Sequence, residues 1–331
     1  MKKVLKIAGV ILLVVVVAIA GLLTYVKTAL PDVGDPEEIT IEYTPERIER
    51  GKYLAHHVSV CMDCHSTRDF TKFSGPLVEG TLGKGGERFD QTMGLPGVFF
   101  SKNITPEGIS RYTDGELYRV ITTGVTKEGR PMFPLMPYTY YGRMDREDIY
   151  DIIAYVRSIP PIKNEVPESA ADFPVNFIMH TIPQIGTPEK RPSKDNKVEY
   201  GRYLTNASGC RECHTPADKG QIIMDLAFSG GREFMFPNGD ICRTPNITPD
   251  KETGIGNWTP EIFVAKFKAY TDSTFVLPNV APGEFNSIMP WTMYSGMEKE
   301  DLEAIFAYLQ TLTPMKNKVS TFAKAQDVAS R

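Results

Sequence analysis

The chain has 331 residues, 41% hydrophobic and 24% charged, with a formal net charge of −4. This is a globular composition with room for about two ordinary domains. The lack of a basic excess argues against binding nucleic acid or anionic lipid through a basic face. Lys2, Lys3 and Lys6 precede a charge-free apolar run from Ile7 to Tyr25, long enough to span a bilayer as a helix. The lysines favour a cytoplasmic N-terminus. The expected topology is a single pass through the inner membrane, with residues 1–30 as anchor and the remainder on the periplasmic side. A cleaved secretory signal is the competing reading, because Ala18 and Ala20 form a small-x-small pattern. Leu22, Leu23, Tyr25 and Val26 extend the apolar run beyond that point and favour the anchor. Either way the rest of the chain is exported. It is also more acidic than the whole, since the first thirty residues hold four lysines (Lys2, Lys3, Lys6, Lys27) and no acid. A partner with a basic docking patch would suit it.

Beyond the anchor, Thr44 and Pro45 predict a helix start that carries Tyr53 and Leu54 toward a cysteine motif. Thr113 to Glu116 has capping-box form and predicts a second helix. Ile149, Ile152, Ile153 and Val156 form one apolar helical face, stopped by Pro160 and Pro161. The same features then return. Gly51 to Leu54 recurs as Gly201 to Leu204, and Cys61-Met-Asp-Cys-His65 as Cys210-Arg-Glu-Cys-His214. Phe73 to Gly75 is matched with Phe228 to Gly230, Asn103 to Pro106 with Asn246 to Pro249, and Met136-Pro-Tyr138 with Met289-Pro-Trp291. Leu302, Ile305, Phe306 and Leu309 repeat the closing apolar face. The order is kept throughout, which marks an internal duplication. The expected division is 31–166, a Pro- and Lys-rich linker at 167–194 with Phe173, Phe177 and Ile178 packed on a domain, and 195–331. Plentiful glycine and proline suggest short helices joined by turns, an all-α architecture.

Cys-x-x-Cys-His is the attachment signature of c-type haem. Two thiols on one helical turn can each bond a porphyrin vinyl group, and the adjoining imidazole reaches the iron. Two such motifs predict two covalently bound haem c groups, on Cys61, Cys64 and His65 and on Cys210, Cys213 and His214. A thioredoxin-like pair does not need the histidine, zinc would require more Cys and His ligands than the chain has, and a disulfide is the remaining rival. The other histidines are His56, His57 and His180. His180 lies in the linker, so methionine must be weighed as the distal ligand, and Met136 and Met289 hold matched positions. A core-packing role is the plainer reading of each; the match favours metal ligation. Met132 has no counterpart. Met144 and Met297 are expected to pack at the start of the closing helix. His56 and His57, set against Asn206 and Ala207, fall outside the repeat and are expected at the surface or a haem edge.

These motifs together resemble the class I cytochrome c fold, here as two tandem domains after a transmembrane helix. They are similar in detail to the multihaem cytochrome c subunits of bacterial alcohol, aldehyde and gluconate dehydrogenases. In that family the methionine before the last helix is the distal ligand, which the resemblance carries onto Met136 and Met289. It implies electron transfer from a membrane or periplasmic dehydrogenase or quinol-oxidising complex to a terminal oxidase or soluble cytochrome. Those subunits usually have three such domains and this chain has two. A dihaem enzyme, such as a peroxidase or thiosulfate dehydrogenase, is the alternative. Cys242, the only cysteine outside the motifs, keeps it open, although a cysteine at the place of Phe99 reads first as a small buried hydrophobe.

Overall fold

The computed structural model describes residues 1–218, 220–271 and 276–328, so parts of the expected 195–331 division lie outside the described residues. Lys2–Ala29 is one helix of 28 residues, apolar enough to cross a membrane and with none of its residues buried. The next helix, Pro45–Tyr53, begins where expected, with the Thr44 hydroxyl accepting from the Arg47 amide. It packs on the closing helix Arg146–Ser158. Lys197–Ala207 packs on Lys299–Leu309 in the same way. The approach is close: a Cβ on Gly51 would run into the Asp151 carbonyl, and one on Gly201 into that of Ala304. This is why both repeats carry glycine there. Asp114–Thr123 has the predicted capping box, with Thr113 and Glu116 bonding reciprocally. All eight residues of the two expected apolar faces are buried, and Met144 and Met297 are sealed beside them. One continuous apolar core runs through both halves.

The expected all-α architecture is corrected by short strands. In the first half β1 (Arg88–Phe89), β2 (Gly97–Phe100) and β3 (Ala170–Ala171) form an antiparallel sheet, and β3 lies within the expected linker. In the second half β4 (Ala217–Asp218) and β5 (Gln221–Ile222) make a hairpin, and β6 (Glu233–Met235), β7 (Ile241–Arg243) and β8 (Phe322–Ala323) repeat the three-stranded sheet. Most of these ladders join only two or three residues per strand, and their purpose is local: they brace the segment between the cysteine motif and the Asn-Ile-Thr-Pro block. The rest of the linker is also docked, but not as expected. Phe173 is 77% and Ile178 50% exposed, whereas Phe177 lies under the Lys27 ammonium at 4.9 Å. His180 Nδ1 is 3.0 Å from the Leu30 carbonyl. The segment therefore meets the foot of the N-terminal helix rather than a domain core.

The halves are joined by bonds that repeat across the interface. The Tyr53 hydroxyl donates to Asp301 at 2.7 Å and accepts from the Glu298 amide at 3.0 Å. Tyr203 does the same with Asp148 at 2.6 Å and the Asp145 amide at 3.0 Å. Both carboxylates are fully buried, and each is thus completed by a phenol from the other half. His57 Nδ1 bonds the Met293 carbonyl at 2.7 Å, and Asn206 Nδ2 donates to the Tyr140 carbonyl at 3.0 Å. So His57 does belong to the repeated machinery. The first half has one extra residue between Leu54 and Cys61, and a π-turn at Leu54–Val58 absorbs it. This makes His57, not His56, the equivalent of Asn206. His56 is half-buried against Tyr155, with Nε2 2.6 Å from the hydroxyl.

Candidate functional site

Both cysteine motifs are single helical turns entered from a left-handed residue, Val60 at φ 43° and Gly209 at φ 63°. Val60 is strained there, while Gly209 takes the same turn freely. The turn sets both thiols of each motif on one short helical segment. None of the five cysteines is bonded to another in the structure. Cys64 is open to water yet crowded by protein atoms, as in a crevice, and that crowding pushes its thiol up to about 12. Burial likewise raises Cys61 and Cys210 to about 12 and Cys213 to about 11.

The histidines are aimed by the neighbouring Asn-Ile-Thr-Pro block. Asn103 Oδ1 accepts from the Thr105 amide and hydroxyl, and its Nδ2 donates to the Ile162 carbonyl at 2.8 Å. Asn246 makes the same bonds to Thr248 and the Met315 carbonyl. This turn fixes the carbonyl just before it. His65 Nδ1 meets the Lys102 carbonyl at 2.6 Å, and His214 Nδ1 meets that of Pro245 at 2.9 Å. A carbonyl can only accept, so Nδ1 carries the proton in each ring and Nε2 keeps a free lone pair. Burial lowers both imidazoles and favours this neutral form, against the raising effect of the carbonyl bond. The repeated block, conspicuous in the sequence without an evident purpose, is a histidine-orienting device.

A second glycine position closes each crevice. The Gly85 amide donates to the His65 carbonyl and the Gly230 amide to the His214 carbonyl, both at 2.8 Å. Both glycines have positive φ and lie against the Lys102–Asn103 and Pro245–Asn246 backbone, leaving no room for a Cβ. The equivalent of Gly230 is therefore Gly85, and the expected pairing of Phe73–Gly75 with Phe228–Gly230 is wrong. Phe228 aligns instead with Gly83, whose carbonyl accepts from Ile104 as that of Phe228 accepts from Ile247. The first half carries extra residues in the preceding loop, and these lead Phe73–Gly75 elsewhere.

Met136 and Met289 lie half-buried against the core, each just before a single helical turn, Tyr138–Tyr141 and Trp291–Tyr294. That turn is tied to the cysteine motif by a buried hydroxyl: Tyr141 to the Ser59 carbonyl at 2.9 Å and Tyr294 to that of Ser208 at 2.8 Å. His180 stays with the foot of the first helix. Cys242 is buried on β7, paired with Phe234 as Phe99 on β2 is paired with Phe89. It fills the position of a packing side chain, and burial holds its thiol up. Among the described residues no cluster of three or more His, Cys, Asp or Glu could hold a bare metal ion, so zinc has no donor set. The two thiols and the imidazole with a free Nε2 on each motif turn are a donor set that fits haem c. The first half also reaches the second motif, where Tyr140 donates to Glu212 at 3.0 Å.

The cytochrome c family model matches residues 198–313. This part of the chain is a cytochrome c domain. A cytochrome c domain holds its haem covalently, and the cytochrome therefore carries haem c. It is 25% identical to the cytochrome c subunit of the quinone alcohol dehydrogenase of Gluconobacter oxydans, over 80% of this chain and 54% of that protein. It is 25% identical to the gluconate 2-dehydrogenase cytochrome c subunit of Pantoea cypripedii, over 85% of this chain and 63% of that protein. A dihaem c-type cytochrome of Cereibacter sphaeroides is 29% identical over 76% of this chain and 81% of its own length. The cytochrome thus spans little more than half the length of the dehydrogenase subunits it resembles.

Proposed function

We propose that the chain is a dihaem electron carrier, anchored in the inner membrane by residues 1–30 in a single pass, with cytochrome c domains at 31–166 and 195–331 on the periplasmic side and a linker at 167–194. The observation that carries this reading is the repeated site: in each half a Cys-x-x-Cys-His turn, an imidazole oriented through Nδ1, and a methionine turn tethered to it by a tyrosine. Cys61, Cys64 and Cys210, Cys213 would hold two haem c groups covalently, with His65 and Met136, and His214 and Met289, as axial ligands. Bound haem supplies reversible one-electron exchange at iron. The protein's part is to fix the ligands, since a carrier works best when little rearranges between redox states. The Asn103 and Asn246 turns hold the histidines, Tyr141 and Tyr294 hold the methionine turns, and the thioether ligand raises the potential. The donor is a membrane or periplasmic dehydrogenase or quinol-oxidising complex, in line with the names of the relatives, and the acceptor a terminal oxidase or soluble cytochrome.

The test is the weak near-infrared charge-transfer band of Met-ligated ferric haem. It is expected at two-haem intensity, with Met136→Ala and Met289→Ala each removing about half, if the sites contribute equally. Ready carbon monoxide binding by the unaltered protein at one haem would point to a vacant site and to the enzyme alternative, as would a change of axial-ligand bands in Cys242→Ala.

A further inference from the structure

The loop after the first cysteine motif leaves its own half. Arg68 roots it, donating to Asp63 within the motif at 3.0 Å and to the carbonyls of Ser74 at 2.6 Å and Gly75 at 2.9 Å. Beyond that root the backbone pairs with the second half: the Phe73 amide donates to the Pro278 carbonyl at 2.9 Å, and the Val280 amide to that of Thr71 at 2.8 Å. The Phe73 ring stacks on Tyr270 and touches Phe285. At the tip is Ser74, fully buried and in the left-handed region at φ 62°. Residues with a side chain seldom adopt this conformation unless their surroundings hold them there.

Those surroundings are the Met289 turn. The Ser74 amide donates to Asn286 Oδ1 at 2.9 Å, and Asn286 Nδ2 returns a bond to the Phe70 carbonyl at 3.1 Å. The Ser74 hydroxyl donates to the Met289 carbonyl at 2.7 Å and accepts from the Trp291 amide at 3.0 Å. One side chain thus bonds the backbone on both sides of Pro290, at the Met289 carbonyl and the Trp291 amide. Both turns carry the same backbone closure, the Trp291 amide to the Met289 carbonyl and the Tyr138 amide to the Met136 carbonyl, each at 2.8 Å, so the Ser74 bonds are an addition at Met289. Among the described residues, no side chain from the second half bonds the Met136 carbonyl or the Tyr138 amide.

We infer that Ser74 is a positioning residue for Met289, so that the first half holds the distal-ligand turn of the second. The inference rests on the reading of Met289 as an axial ligand. A thioether is a weak neutral ligand, and how firmly it competes with an incoming one depends on how firmly its turn is held. Ser74 restrains that turn through the two backbone groups that flank Pro290; among the described residues the second half bonds the Met136 turn only further on, at Tyr140. The two methionines should therefore differ in how easily they are displaced, and the difference should depend on a residue of the opposite half.

The experiment uses the full chain loaded with haem. In a Met136→Ala background the remaining near-infrared band reports Met289 alone, and added imidazole titrates it away. Ser74→Gly is the test variant, because glycine keeps the left-handed backbone without strain while removing the hydroxyl. The expected result is displacement of Met289 at an imidazole concentration lower by on the order of tenfold, the scale of one hydrogen bond. The same Ser74→Gly change in a Met289→Ala background should leave displacement of Met136 unmoved; equal shifts at both would mean general loosening and overturn the inference. An unmoved Met289 titration, with Met289→Ala still abolishing half the band, overturns the positioning role and leaves the ligand reading intact. A full band in Met289→Ala overturns both.

Discussion

Replacing Tyr203 by Phe tests whether the two halves are one folding unit. Tyr203 is fully buried, and its hydroxyl donates to the buried Asp148 carboxylate at 2.6 Å while accepting from the Asp145 amide. A hydrogen bond to a buried carboxylate contributes roughly 1.5–3 kcal/mol, and a partly buried amide left without its acceptor costs about 1 kcal/mol more. Phenylalanine fills the same volume, so no cavity adds to this. The expected loss is about 3 kcal/mol. For Tyr53→Phe at the half-buried mirror site it is about 2 kcal/mol. Asp148 keeps Arg50 and Arg191, and Asp301 keeps Lys194 and Tyr200, so neither carboxylate is stranded. Urea unfolding of the haem-loaded chain, followed by circular dichroism, should show a single transition whose midpoint falls by about 1 M for Tyr203→Phe, taking a slope of about 3 kcal/mol per molar urea. A loss under about 0.5 kcal/mol, or an unaltered chain that unfolds in two separate steps, would show that the phenol–carboxylate pairs do not join the halves.

Two further outcomes follow from the packing. Burial, aided by the charges on His57 and Lys52, depresses His56 to about 4; its unfolded value lies near 6.5, so the unfolded chain takes up the proton first. The stability from keeping it neutral is full above about pH 6.5 and is lost as pH falls toward 4, by up to about 3 kcal/mol. Burial raises Asp151 to about 6, which favours the folded state at the acid end of the same window, so the comparison must be with His56→Gln, whose stability should fall less steeply; equal slopes would refute it. Gly201→Ala should force the Lys197–Ala207 and Lys299–Leu309 helices apart at the Ala304 carbonyl and cost roughly 1–3 kcal/mol or more, read as a lower urea midpoint; a neutral effect would mean the helices can part freely.

Much of this molecule was legible in its residues. Thr44, the Thr113 capping box and the two closing faces act locally, and local signals read true. The short strands escaped because a ladder of two or three residues shows no period. The pairing of Phe73–Gly75 with Phe228–Gly230 followed identical letters, whereas geometry follows Gly85-Gly86 and Gly230-Gly231, each leading into a charged pair and a phenylalanine. That signal was present and outweighed by a closer-looking match. The place of His57 is hidden from the sequence because a one-residue insertion inside a helix shifts the register without breaking the helix, and only the π-turn reveals which side it falls on. The interface bonds of Tyr53 and Tyr203 join residues far apart in the chain, so no spacing announces them.

The mirrored bonds between the halves have a consequence for how such a chain can change. Two identical copies meeting in this way would form a two-fold dimer, in which any alteration to one side appears on the other as well. A loop long enough to reach across would then arrive twice and have to fit at both ends. With both copies in one polypeptide that constraint is lifted. The segment from Thr67 to Leu82 reaches into the neighbouring half, whereas in the equivalent stretch of the second half Ala217–Asp218 pairs antiparallel with Gln221–Ile222. Covalent linkage is what permits two sites of common plan to be tuned independently.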